Sequence, residues 1–152
     1  DDGRPLEDGS KRYTGAPGTL NKLANNPFLK NTLMTDIEQI GPRGEAIAVR
    51  YLESIGCKIL ERNYRHRKGE IDILALDKEF LAVVEVKSRS YLSFGDPETA
   101  IDSQKIELLS AAVGYYQELH DIRAEIRFDI ITVHFPKGKK ARLTHIKDAF
   151  HG

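Results

Sequence analysis

The chain has 152 residues, with 23 Lys and Arg against 23 Asp and Glu, a formal net charge of zero and a hydrophobic fraction of 40%. That balance excludes a uniformly basic coat for indiscriminate nucleic-acid binding and a disordered polyelectrolyte, and no apolar run reaches the roughly 18 residues of a membrane helix. The single cysteine, Cys57, cannot form an intramolecular disulfide, so a reducing cytoplasm is the expected compartment.

Residues 1–33 hold three of the six prolines and no sustained periodicity, and Met34 follows them. This stretch reads as a flexible leader or expression tag, with residues 34–152 as a single domain. Removing it leaves the acids one ahead of the bases, so any polyanion must be recognised locally.

From about Gly44 to Ser54, Ala46, Ile47, Val49, Tyr51 and Leu52 form an apolar helical stripe, with Gly56 as its C-terminal stop. Lys58–Tyr64 reads as a short strand. Residues 71–76 and 80–87 read as stronger strands joined by the short turn Asp77-Lys78-Glu79. Phe94-Gly95-Asp96-Pro97 reads as a loop. A long helix up to about Leu119 follows, with Ile106, Leu109, Ala112, Val113 and Tyr116 as apolar positions. Strands are expected at 128–133 and around 143–146, after a turn at 136–139. The order is αβββαββ, an α/β fold with a mixed central sheet.

Three charges interrupt the two strongest strands. Asp72 separates Ile71 from Ile73, and Glu85 and Lys87 alternate with Val84 and Val86. Side chains two apart on a strand share a face, so Glu85 and Lys87 project together, and a tight hairpin brings Asp72 towards them. Buried charges are costly unless paired or bound to metal, and oxygen ligands select Mg²⁺ or Mn²⁺ over zinc. Taken singly, Asp72 could be a strand-entry carboxylate and Glu85–Lys87 a surface ion pair. Asp129 reads as a structural hydrogen-bond acceptor, Tyr115 and Tyr116 as packing residues, and the histidines carry no assignable chemistry.

The spacing of Asp72, Glu85 and Lys87 resembles the PD-(D/E)XK nuclease signature, with Gly69-Glu70-Ile71-Asp72 in place of its Pro-Asp. A wider series of segments includes Gly44-Glu45-Ala46, Arg62-Asn63-Tyr64-Arg65, Gly69-Glu70-Ile71-Asp72 and Val84-Glu85-Val86-Lys87-Ser88-Arg89. Phe94-Gly95, Lys105, Arg127-Phe128-Asp129 and Ala149-Phe150 complete it. The series resembles the YraN family of small bacterial proteins, itself similar to archaeal Holliday-junction resolvases. The resemblance implies a restriction-endonuclease-like core and a catalytic set of Glu45, Asp72, Glu85 and Lys87. Asp72, Glu85 and the Val86 carbonyl would then hold Mg²⁺ or Mn²⁺. Glu45 would hold a second ion or a water beside it, and Lys87 would orient or deprotonate the attacking water. By the same resemblance, Lys105 touches the site or the phosphate backbone, and Glu70 is structural or an outer support.

Lys58, Arg62, Arg65, Arg67 and Lys68 form a basic run leading into Asp72, and Arg89 follows Lys87. Arg62, Arg65, Arg67, Lys68 and Arg89 are therefore the expected phosphate contacts, to which the resemblance adds Lys105. A second basic turn at Lys137, Lys139, Lys140 and Arg142 is read equally well as a solvated loop. The expected function is a metal-dependent nuclease on branched or structured DNA in repair or recombination. A noncatalytic nucleic-acid-binding subunit on the same fold is the alternative, and a small-molecule phosphodiesterase a third. Resolvase-like action would require a symmetric homodimer.

Overall fold

The computed structural model describes residues 27–92 and 100–152, with side chains of the first helix described from Gln39 onward. The expected Phe94–Pro97 loop and most of the leader lie outside the described residues. Seven elements follow in chain order: α1 (Pro27–Ser54), β1 (Lys58–His66), β2 (Gly69–Asp77), β3 (Phe80–Ser90), α2 (Ser103–His120), β4 (Glu125–Phe135) and β5 (Arg142–Phe150). This is the expected order αβββαββ.

The strands lie side by side in chain order in one five-stranded sheet. Neighbours pair antiparallel except β3 and β4, which are parallel because α2 carries the chain across one face between them. Two-residue turns close both hairpins on the β2 side, and each begins with a residue in the left-handed region, Arg67 (φ 54°) and Lys78 (φ 54°). The result is a mixed sheet flanked by two helices, the arrangement of a restriction-endonuclease-like core.

Strand alternation divides the core into two layers. Ile73, Ala75, Ala82, Val84, Ile131 and Val133 meet Ala48, Val49 and Leu52 of α1. Leu74, Leu81, Val83 and Phe128 meet Leu109, Ala112, Val113 and Tyr116 of α2. Fully burying a side chain such as Leu52 or Leu109 contributes about 1.5–3 kcal/mol, which fixes each helix against its face. Free Cys57 is buried in the α1 layer.

Helix α1 begins well before the stripe at 44–54 and runs through Pro42. Gly41-Pro42 reads as a breaker because proline lacks a donor, yet the helix continues on both sides of it. Pro27 opens the helix, where the missing N–H costs nothing. Asp102 caps α2 by accepting the Lys105 N–H at 2.8 Å, and Asp121 ends it in the left-handed conformation. No helix among the described residues is long and apolar enough to cross a membrane.

Candidate metal-carboxylate site

Pairing between β2 and β3 runs from the turn at Asp77 and Phe80 as far as Ile73 and Val84, and stops there. Beyond that point β2 continues against β1 alone and β3 against β4 alone. The sheet forks, and the first residues past the fork are Asp72 on β2 and Glu85 on β3. Within the fork, Asp72 Oδ2 accepts the backbone N–H of Val86 at 2.8 Å. The carboxylate thus takes a donor that a continuous ladder would have used.

Helix α2 closes one side. Lys105 donates from its ammonium to Glu85 Oε1. The other oxygen, Glu85 Oε2, is buried and has no hydrogen-bond partner among the described residues. Lys87, on the same face as Glu85, donates to the Ala100 carbonyl at 3.2 Å. Lys68, Gly69, Glu70, Asp72, Asp102, Gln104 and Lys105 line a cleft of about 520 Å³ over this point, floored by Leu108 and Leu109.

Two glycines permit this close assembly. A Cβ at Gly69 would lie 2.6 Å from the Leu108 carbonyl oxygen, so β2 passes α2 at a distance only glycine allows. A Cβ at Gly44 would overlap the Ser88 side chain, so α1 lies directly on β3 just past Lys87.

Burial pushes the Asp72 carboxyl up to about 7, and the Glu85 charge adds to that rise. The Val86 N–H opposes it, Glu45 adds a smaller push, and Lys105 pulls weakly the other way. Two carboxylates thus share one partly dry site with too little positive charge.

That chemistry fits a hard divalent cation. The donors are oxygens, one of them buried and without a partner among the described residues, and a cation would offset both the burial of the Asp72 charge and its repulsion from Glu85. Among the described residues no three His, Cys, Asp or Glu side chains converge as a ligand set. The Asp72–Glu85 pair would be the protein's own contribution to such a site, within the one or two carboxylates Mg²⁺ commonly takes, and the Glu45 charge reaches Asp72.

The fold distributes the basic residues unequally. Lys68 and Lys105 line the cleft. Arg62, Arg65 and Arg67 are exposed on the edge strand β1 and its turn, where Arg65 pairs with Glu70 at 3.3 Å. Lys58 lies at the opposite end of β1, paired in register with Leu76. Arg89 lies beside His134 of β4 in register and depresses its pKa together with Arg142, after burial.

Asp129 is fully buried and accepts two hydrogen bonds from Arg127 (2.8 and 2.9 Å), one from the Asp148 N–H (3.1 Å) and one shared with His145 Nε2 (2.8 Å). It is the structural acceptor that its strand position suggests. His145 also meets the Tyr51 hydroxyl at 3.0 Å, a role absent from the reading of the histidines. Tyr116 packs in the core, whereas Tyr115 is 46% exposed and stacks on His66 with ring centroids 4.3 Å apart.

Comparison with known proteins gives a consistent picture. The model of a family described as "Uncharacterised protein family UPF0102" matches residues 44–133, which include every element of the fork. A UPF0102 protein of Flavobacterium psychrophilum is 41% identical over 118 residues, covering 78% of this chain and 98% of the relative. A UPF0102 protein of Bacteroides thetaiotaomicron is 42% identical over 118 residues, covering 78% and 97%. One from Geobacter metallireducens is 41% identical over 114 residues, covering 74% and 93%.

Proposed function

The chain belongs to the UPF0102 family, and from that premise we propose that it is a metal-dependent nuclease that hydrolyses phosphodiester bonds in branched or structured DNA. The observation that carries this reading is the fork itself. Two carboxylates, Asp72 and Glu85, meet where the sheet opens, beneath a cleft lined by Lys68 and Lys105.

Asp72 and Glu85 would hold Mg²⁺ or Mn²⁺, with the Val86 carbonyl as a further oxygen and Glu45 beside them. Bound there, the ion would supply Lewis-acid polarisation of the phosphate and a nucleophile near neutral pH. Lys87 would orient the attacking water or take its proton, since it shares the Glu85 face of β3. Lys68 and Lys105 would neutralise the phosphate and hold the strand in register. The Val86 N–H keeps Asp72 aimed into the fork.

Cleavage of labelled duplex, single-stranded and four-way DNA with Mg²⁺, Mn²⁺ or EDTA tests this. Cutting should require the metal, and Asp72→Asn or Lys87→Ala should reduce it by about 100-fold or more while circular dichroism stays unchanged. Undiminished cutting by both folded variants would overturn the assignment.

The Lys105–Glu85 ion pair favours one second reading, a noncatalytic nucleic-acid-binding subunit, because the lysine already neutralises a proposed ligand. A parent protein that binds DNA with salt dependence but cuts none of the three substrates would favour it.

A further inference from the structure

A second concavity, of about 340 Å³, opens where β3 and β4 end. Arg43 of α1, Tyr91 after β3, Phe135 at the end of β4, and Lys137, Lys139 and Lys140 of the following turn line it, with no acidic residue in its walls among the described residues. Two of the cations lie over aromatic rings, Arg43 at 5.0 Å from the Phe135 centroid and Lys137 at 5.9 Å from that of Tyr91. Four cations beside two ring faces make a surface suited to a polyanion with flat bases.

The placement connects it to the fork. Ser90, which lines the concavity, lies three residues beyond Lys87 on β3, roughly 10 Å along the strand, and this odd spacing turns the two side chains to opposite faces of the sheet. Helix α1 rests on β3 at Gly44, against Ser88, which lies between Lys87 and Ser90. Arg43 lines the second concavity, and Glu45, two residues on, carries charge felt at Asp72. Residues two apart on a helix point to different sides, so one turn of α1 serves both.

We propose that this groove is a second DNA-binding site, which grips the phosphate backbone of the bound DNA outside the fork and stacks a base on Tyr91. The proposal rests on the nuclease reading for its choice of DNA. It accounts for the second basic turn, which is otherwise only a solvated loop.

Fluorescence anisotropy in EDTA separates binding from cutting. The parent is compared with Lys137→Gln/Lys139→Gln/Lys140→Gln and with Tyr91→Ala, on duplex DNA with a single-stranded arm. The triple variant should bind at least about tenfold more weakly, and its slope of log affinity against log salt should fall by about two to three, near 0.9 per lost phosphate contact. Tyr91→Ala should weaken binding to the single-stranded arm by about fivefold or more without changing the slope. Unchanged melting temperatures would tie these losses to the surface.

Equal affinity and slope for parent and triple variant would overturn the groove, whether or not the parent cuts DNA. So would a parent that binds no DNA, or a triple variant that loses affinity for RNA alone. Loss of groove-dependent binding in a protein that cuts nothing would uphold the groove while sinking the nuclease reading.

Discussion

The ammonium of Lys105, reaching in from α2, is paired with the Glu85 carboxylate on β3, so the fork carries an internal counter-ion. The pair is asymmetric, with the Lys105 side chain 43% exposed and that of Glu85 only 8%. The lysine therefore keeps contact with solvent in the cleft, whereas the carboxylate is enclosed. Lys105→Met should tighten Mn²⁺ binding by roughly tenfold, because one like charge leaves the site. It should also lower the melting temperature in EDTA, where Glu85 is left buried and unpaired, with recovery on adding Mn²⁺. Calorimetric titration of Mn²⁺ and thermal melts check both, and unchanged affinity would exclude the counter-ion role.

Asp72 has a folded pKa of about 7, raised by burial and then by Glu85. A carboxyl raised on folding favours the folded state while protonated and opposes it once ionised. Stability of the metal-free protein should therefore fall as pH rises from the ordinary carboxylate range through about 7. Asp72→Asn keeps an acceptor for the Val86 N–H but removes the charge. In EDTA it should stabilise the protein by on the order of 2–4 kcal/mol above pH 7, with the gain vanishing below about pH 4. Denaturant melts of both proteins across that range read the difference directly.

On the other face, burial alone would raise Asp129, but hydrogen bonds from His145, Arg127 and the Asp148 N–H outweigh it and hold it low. Asp77 is likewise lowered, chiefly by its hydrogen bond from Arg127. Here the sign reverses. Both contribute stability above the ordinary carboxylate range and lose it as pH falls through their depressed values, so acid unfolding should begin there. Asp129→Ala leaves a buried guanidinium with Asp77 as its remaining partner and removes the acceptor for His145 and the Asp148 N–H. It should cost about 3–5 kcal/mol, measured by urea denaturation at neutral pH.

Gly69→Ala should destabilise the protein by about 1–3 kcal/mol, because the new methyl meets the Leu108 backbone and α2 must move. Gly44→Ala overlaps the Ser88 side chain and otherwise meets Val133 at an ordinary 3.7 Å, so adding Ser88→Gly should recover most of its loss. Melts of the two single variants and the double variant distinguish a backbone obstacle from a side-chain one.

Much of the fork was legible before any coordinates. Asp72 and Glu85 stand out because each breaks an apolar strand, and a tight turn between those strands leaves few registers. The full length of α1 did not show, because the apolar stripe begins only at about Gly44 while the helix runs on through Pro42 back to Pro27. The basic run misleads for a different reason. Five cations within eleven residues look like one patch, but a strand stretches them along an edge, and only Lys68 at the turn reaches the cleft. The Asp129 assembly draws on Asp77, Arg127 and His145 from three strands, and nothing in the spacing of those residues announces it.

The bond from the Val86 N–H to Asp72 is made by main chain, so it belongs to the strand rather than to valine. Isoleucine, leucine or threonine at position 86 would keep it, and proline alone among the common residues would abolish it. The carboxylate is therefore aimed by a donor that side-chain mutation cannot erase, and alanine scanning across β3 would pass over one of the contacts on which the site depends.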